Sequence, residues 1–441
     1  MRFYIHRLGC PKNDVDGDYI AGRLVRDGHE LVSDIDVAQV AIVNTCTFIL
    51  PAKEESIEAI LEIAQLKQEG RLERLYVCGC MPQRYADELL ASMPEIDGAF
   101  GLGELDALAK AVGQLGRNEH TVATDSRQLT YLAGENRLIT DSYPYAYLKI
   151  SDGCSRGCTY CVIPSIRGRF RSRRMADIVD EAAFLASRGK KELILVSQDT
   201  SLYGRDLKSR RGLVDLLRAL EEVECVTWLR VMYLHPGSIG SELLDYMLAE
   251  DNKVLPYFDL PLQHANERLL RAMGRPSRRK QIEETLGRIR SLHPDAVLRT
   301  TFIVGFPGET EGEFEELLEF VAQWRFDRLG AFSFSAEEGT RAAAMADQVA
   351  EEDRLRRLDL LMSLQQTIAF ERNISLIGST LETIIDDCGN GGAATGRTRG
   401  DCPDIDQLVS VTGDGLRVGD IRPVRIERAD GYDLHGQVVE A

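Results

Sequence analysis

The run Cys154-Ser-Arg-Gly-Cys158-Thr-Tyr-Cys161 places three thiols at spacings of four and three residues. It follows directly on a strand-like stretch, Tyr145-Ala-Tyr-Leu-Lys-Ile-Ser151. A short cysteine loop at the mouth of a strand can ligate three irons of a cubane iron–sulfur cluster and leave the fourth iron without a protein ligand. An open iron is a place where a small molecule can bind and receive an electron. Zinc would ask for a fourth ligand, and no Cys or His lies nearby in sequence to provide it. Tyr160, the aromatic just before the last cysteine, is a candidate cofactor contact.

Three more cysteines, Cys10, Cys46 and Cys80, are separated by 36 and 34 residues. Each lies just past a strand-like run: Arg2–Leu8, Gln39–Asn44 and Arg74–Cys78. Helix-like patterns follow each run. Near-continuous apolar strands alternating with helices predict a mostly parallel sheet covered on both faces. Ligands of such sheets gather beyond the carboxyl ends of the strands, so the three thiols are expected to converge there. They could hold a second cluster, or they could be buried core cysteines; the residues alone leave both open. Cys78, inside its strand, reads as core.

From Tyr145 the alternation restarts. Candidate strands are Tyr145–Ser151, Glu192–Ser197, Thr227–Tyr233, Tyr257–Leu260, Leu298–Val304 and Arg328–Phe334, with helical stretches such as Met175–Arg188 and Glu311–Arg325 between them. This predicts a partial (β/α) barrel, whose chemistry lives at the carboxyl ends of its strands. Polar residues fall there: Gln198-Asp-Thr200, His235, Gln263-His264, the turn Gly305-Phe-Pro-Gly308, and Ser333. Gln198, Gln263, Gly305, Gly308 and Ser333 are the further candidate cofactor contacts. The two glycines are expected to let backbone amides approach a ligand. Arg167-Gly-Arg-Phe-Arg-Ser-Arg-Arg174 adds five arginines six residues after Cys161. Their forks suit a carboxylate of cofactor or substrate, or water.

Residues 376–441 hold short alternating runs separated by Gly and Asp turns, which predict a small closed antiparallel β-barrel of about five strands. That segment carries 12 acidic and 6 basic residues, a net of −6. The whole chain of 441 residues has a net charge of −17. This balance disfavours broad nucleic-acid binding and suits a basic partner. Ten cysteines in this length are not a disulfide scaffold. No apolar run reaches signal-peptide or membrane-span length, so a cytoplasmic protein without a membrane partner is expected. The charged stretch Ala336–Gln366 reads as a helical link.

Taken with Leu8-Gly-Cys-Pro-Lys-Asn13, Ser197-Gln-Asp-Thr-Ser-Leu-Tyr-Gly-Arg-Asp206 and Gly396-Arg-Thr-Arg-Gly-Asp-Cys-Pro-Asp-Ile-Asp406, the two cysteine sets resemble the radical S-adenosylmethionine methylthiotransferases over essentially the whole chain. Within that family the resemblance is to the type that modifies an aspartate of ribosomal protein uS12. It implies three units: 1–135 with an auxiliary [4Fe–4S] cluster on Cys10, Cys46 and Cys80; 140–372 with a radical cluster on Cys154, Cys158 and Cys161; and a TRAM domain over 376–441. It also implies two molecules of S-adenosylmethionine per turnover, one giving a 5′-deoxyadenosyl radical and one a methyl group, with sulfur from the auxiliary cluster. An electron donor and a sulfur-delivery protein would be partners of an expected monomer. Cys402 and Asp14 depart from the family pattern at positions that are not expected ligands. Two alternatives remain: a relative that methylthiolates an N6-modified adenosine of transfer RNA, and a non-catalytic iron–sulfur carrier or ribosome-assembly factor. The acidic third unit, Pro11-Lys12-Asn13 and Gln198-Asp199-Thr200 weigh against the first; the open-iron loop weighs against the second.

Overall fold

The computed structural model describes residues 1–114, 121–124, 137–249, 251–275, 278–389 and 393–439. The expected end of the first unit at 135 and residues 440 and 441 of the third lie outside them.

In the first unit, β1 (Arg2–Arg7), β2 (Glu30–Leu31), β3 (Val40–Thr45), β4 (Arg74–Gly79), β5 (Gly98–Phe100) and β6 (Thr121–Ala123) form a sheet in the order 2-1-3-4-5-6. Every pairing is parallel. The crossovers are α1 (Pro11–Arg26), α2 (Leu50–Gln68), α3 (Cys80–Ser92) and α4 (Leu105–Gly113). All six residues of β3 are buried, as a strand covered on both faces requires. Ala41, Val43 and Val77 pack on Ile60 and Ile63 of α2, and Val40, Ile42 and Tyr76 pack on the opposite layer with Ile20, Leu24 and Leu108. The strand order reverses between β1 and β3, so their carboxyl ends flank the crevice where such sheets bind ligands.

The second unit contains β7 (Tyr145–Lys149), the antiparallel pair β8 (Ser151–Asp152) and β9 (Arg171–Ser172), then β10 (Glu192–Val196), β11 (Trp228–Val231), β12 (Tyr257–Gln263), β13 (Val297–Val304) and β14 (Arg328–Ser333). Two parallel three-stranded sheets, 11-10-7 and 12-13-14, are joined where Leu229 bridges Val254. The result is an open barrel in the order 7-10-11-12-13-14. Outside it lie α5 (Ile163–Arg167), α6 (Met175–Ser187), α7 (Leu213–Glu221), α8 (Ser241–Met247), α9 (Glu267–Ala272), α10 (Arg279–Leu292) and α11 (Glu311–Trp324). Leu148, Leu193, Leu195, Val231, Leu298 and Phe302 of the strands pack with the helices in one core. The link to the third unit becomes a regular helix only at α12 (Glu351–Ser375); before it, Gly339 takes φ 77° in a turn and the chain runs irregularly.

The third unit closes β15 (Thr380–Cys388), β16 (Ala393–Thr398), β17 (Val409–Thr412), β18 (Ile421–Asp430) and β19 (Asp433–Val438) into a barrel in the order 15-16-17-19-18. Four pairings are antiparallel, but β17 and β19 run parallel. This corrects the all-antiparallel expectation for a simple reason: an odd number of strands cannot alternate direction all the way round a closed ring.

The connection from β16 to β17 enters the amino-terminal mouth of the central barrel. Arg397 donates to Glu192 at 2.7 Å, and Arg230 donates to the same carboxylate at 2.7 Å and to the Arg399 carbonyl at 3.0 Å. Arg328 pairs with Asp401, Tyr257 donates to Asp406 at 2.6 Å, and Tyr147 donates to Asp404 at 3.3 Å. Cys402 is buried among Tyr147, Trp228 and Tyr257. Glu192 and Arg230 thus form a pair within the barrel that Arg397 joins, while Arg328 takes its carboxylate from the third unit. Among the described residues no helix is long and apolar enough to cross a membrane.

Candidate functional site

The ends of β1, β3 and β4 are held together by two asparagines. Asn13 donates to the Leu8 carbonyl at 2.8 Å and the Thr45 carbonyl at 3.0 Å, while Asn44 donates to the Asn13 carbonyl at 2.8 Å. Gly9 and Gly79 both take φ 96°, turning the chain sharply into Cys10 and Cys80. A Cβ on Gly9 would lie 2.7 Å from the Cys46 Cβ, so the glycine is what lets these loops touch. Cys46 is fixed to α2, its amide donating to Ser56 Oγ at 3.1 Å and the hydroxyl returning to its carbonyl at 2.9 Å. Burial raises the Cys80 thiol to about 12, with a further rise from Cys46 and Cys10, and also raises that of Cys46, with a further rise from Cys10. The topology thus brings Cys10, Cys46 and Cys80 together. Cys78 stays in the core, its thiol 3.8 Å from Asn44 Oδ1.

The second triad is a loop pinned at both ends. The Cys154 amide donates to the Gly168 carbonyl at 3.1 Å, and the Thr159 amide to the Met273 carbonyl at 2.9 Å. Burial raises Cys154 to about 11 and Cys161 to about 12, and Cys158 adds to both. Tyr160 packs with Leu269, Met273, Phe306 and Phe334, and its hydroxyl accepts from Arg275 at 3.3 Å. In this arrangement it is a wall of the loop.

Between the triads runs a buried polar network. Arg167 donates to Asp16 at 3.1 Å, to Asp152 at 3.1 Å, to Asn13 Oδ1 at 3.1 Å and to Cys80 Sγ at 3.5 Å. Lys149 lies 2.7 Å from Asp16 and 2.6 Å from Asp152. Within the arginine run the roles separate: Arg167 reaches the first triad, Arg173 is buried on Glu181 at 2.6 Å, and Arg174 is exposed and paired with Asp177. Lys12, 8% exposed, places its ammonium 3.5 Å from the centre of the Tyr233 ring and has no carboxylate within ion-pair distance among the described residues. Burial alone would depress this ammonium, but Tyr233 and Cys10 outweigh it and hold it above the ordinary lysine value.

The remaining candidates divide. Gln198 lies at the end of β10 with a buried Oε1 that has no hydrogen-bond partner. Gln263 ends β12 at φ 73°, a conformation a non-glycine residue rarely holds without cause. Tyr233, beyond β11, does the same at φ 59°. The glycine turn has partners of its own. Gly305 gives its space to Arg354, whose Cγ would lie 2.2 Å from a Cβ there. The amides of Gly305 and Phe306 donate to Glu309 at 2.8 and 3.2 Å, and that of Gly308 to the Asp347 carbonyl at 2.8 Å. Both glycines therefore serve the turn's own closure and offer no amide to a ligand. Ser333 shares the helix-facing side of β14 with Leu329 and Ala331, so strand alternation carries its hydroxyl away from the lumen. His264 and His235 are neutral, depressed by burial to about 3 and about 2, and their Nε2 atoms have no hydrogen-bond partner. Lys12, Tyr233 and Arg275 had no mark in the sequence as site residues; only the cation two residues after Cys10 offered a hint.

All ten cysteines are free thiols. Among the described residues no three His, Cys, Asp or Glu side chains are gathered as ligands of a single ion. A cubane makes a different demand, one thiolate per iron, and each triad sets its three thiols within electrostatic reach of one another beside unpartnered polar atoms. The donor sets fit such clusters, whose binding would displace the thiol protons.

The profile described as Radical SAM superfamily matches residues 148–321, that of Uncharacterized protein family UPF0004 matches 2–101, and that of the TRAM domain matches 377–439. The chain is 43% identical over 440 residues to "Ribosomal protein uS12 methylthiotransferase RimO" of Clostridioides difficile (strain 630), covering 100% of this chain and 99% of that one. It is 44% identical to the protein of the same description from Pelotomaculum thermopropionicum, covering 98% of each. Among solved structures, the fold is like that of the radical S-adenosylmethionine methyltransferase TsrM from Kitasatospora setae, with a TM-score of 0.56, 16% identity and coverage of 75% of this chain and 74% of that one. It is also like the cobalamin-dependent radical enzyme OxsB, with a TM-score of 0.54, 14% identity and coverage of 83% and 57%.

Proposed function

Because this chain belongs to the ribosomal protein uS12 methylthiotransferases, a family of radical S-adenosylmethionine enzymes, we propose that it places a methylthio group on the β-carbon of an aspartate of uS12 from a cleft between its first two units. In this reading Cys154, Cys158 and Cys161 hold one [4Fe–4S] cluster and Cys10, Cys46 and Cys80 a second. When bound, the clusters and S-adenosylmethionine supply the hydrogen abstraction and the sulfur, chemistry that no side chain here could perform.

The chain's own residues bind, orient and shield. The observation that carries the reading is the buried network from Asp152 through Arg167 to Asn13 and Cys80, which locks the two triads to one another across the unit boundary. Gln198, with its unpartnered buried Oε1, and Gln263, with its strained backbone, are the cofactor contacts we retain. Lys12 is a buried cation without a carboxylate partner among the described residues, as is Arg275 beside Tyr160, and of the two it is Lys12, next to the first triad, that receives the carboxylate of the substrate aspartate. Its neighbours Arg137, Lys149, Arg167 and Arg173 are all spent on internal carboxylates. Tyr233 carries the ammonium on its ring face. The enzyme acts as a cytoplasmic monomer, drawing on an external electron donor and a sulfur-delivery partner.

The test is anaerobic turnover of the reconstituted protein with S-adenosylmethionine, reductant, uS12 and unmodified transfer RNA, read by mass spectrometry of both macromolecules. A methylthio group on an aspartate of uS12 is expected. The same group on an adenosine, with uS12 unchanged, overturns the reading.

A further inference from the structure

Helix α2 has two apolar faces. Its inner face, Ala59, Ile60, Ile63 and Ala64, is buried against the sheet. Its outer face carries Leu50, Ile57 and Leu61, which are 53%, 37% and 52% exposed, and Phe48 just before the helix is 42% exposed. Spacings of seven and four put Leu50, Ile57 and Leu61 on one stripe, about 16 Å long at the helical rise. Glu54, Glu55, Glu58 and Glu62 lie on the solvent side of that stripe, all exposed. None of the four makes an ion pair among the described residues, in a molecule whose surface acids are widely paired. The start of the stripe lies at the site: Leu50 is four residues past Cys46. Lys53 pairs with Glu337, which follows the last barrel strand, so the helix start is tied to the barrel mouth.

We infer that the outer face of α2 is the docking surface for the protein substrate, gripping a Lys/Arg-rich segment of uS12 with an apolar anchor and feeding the adjacent aspartate into the cleft. This rests on the proposed function and adds where the substrate is held. The occupant follows from charge. Ribosomal proteins neutralise RNA phosphate and so present cations, which unpaired glutamates attract, whereas a nucleic acid would be repelled by the same rim. The apolar stripe supplies the affinity and the glutamates the rate and selectivity of encounter.

The experiment measures binding of purified uS12 to the full-length protein by fluorescence anisotropy at two salt concentrations. It compares wild type, Ile57→Ser/Leu61→Ser and Glu54→Lys/Glu58→Lys, and follows reductive cleavage of S-adenosylmethionine without uS12 as a check on folding. Both double variants should keep cleavage and weaken uS12 binding by about tenfold or more, and the charge reversal should also flatten the salt dependence. Binding within twofold of wild type in both variants overturns the inference. So does a concentration-dependent self-association of wild type, seen by sedimentation and lost in Ile57→Ser/Leu61→Ser, since the stripe would then be covered by a second copy. Should wild type neither bind nor modify uS12, it is the proposed function that fails.

Discussion

Replacing Arg167 with alanine removes a side chain that donates to four acceptors on two units: Asp16, Asn13 and Cys80 on one, Asp152 on the other. Breaking a buried ion pair costs about 3–5 kcal/mol, because the partner charge is left in low dielectric. Here Lys149 still contacts both Asp16 and Asp152, so neither carboxylate is orphaned. The loss should fall at the low end, about 3 kcal/mol, a factor of more than a hundred in the folding equilibrium. Arg167→Lys keeps one charge but cannot span four acceptors, and should cost about 1–2 kcal/mol through the two or three hydrogen bonds it leaves unmade. The assay is guanidinium unfolding of the cluster-free, reduced protein. It is followed by the fluorescence of Trp228 and Trp324, which both lie in the central unit. An Asp16→Asn background should shrink the Arg167→Ala effect if the two act through each other. A loss below about 1 kcal/mol for Arg167→Ala would refute the argument that this guanidinium carries the junction.

Cys46→Ala should leave reductive cleavage of S-adenosylmethionine intact and abolish methylthio transfer, while Cys78→Ala should preserve both; full turnover by the Cys46 variant would remove that residue from the ligand set. Lys12→Met should raise the KM for uS12 by about tenfold to a hundredfold, with partial rescue by Lys12→Arg, and a peptide with asparagine at the target should bind both forms alike. Burial raises Glu309 to about 7 from an ordinary 4.5, so its protonated form is favoured in the fold. Its contribution is then full below the unfolded value and is lost as pH rises through about 7. Wild type should lose about 1–3 kcal/mol relative to Glu309→Gln between pH 5 and 8, and parallel profiles in denaturant would contradict this.

The cysteine triads were readable because a parallel sheet delivers every strand end to one edge, which turns separations of 36 and 34 residues into neighbours. What was not readable depends on contacts from elsewhere in the chain. Gly305 and Gly308 announced a turn, but nothing local could say that Arg354, on a later helix, fills the vacated space. Ser333 turns on phase: the alternation that makes a strand recognisable also decides which neighbour sees the lumen, and one residue's shift exchanges them. The arginine run showed its charge but not its partners, since Asp16 and Asn13 lie about 150 positions earlier. The parallel pair in the third unit, by contrast, follows from counting five strands around a closed ring.

The loop from β16 to β17 has a consequence for the order in which the protein matures. The segment that adds Arg397 to the Glu192–Arg230 pair, Asp406 to Arg299 and Asp401 to Arg328 is synthesised well after the barrel it enters. Until it arrives, Arg328 lacks its Asp401 partner and the amino-terminal mouth of the barrel stands open to water, a poor vessel for a reactive intermediate. Closure of that mouth is therefore coupled to synthesis of the third unit, and a chain cut short before it leaves a barrel that chaperones and proteases can tell from the finished one.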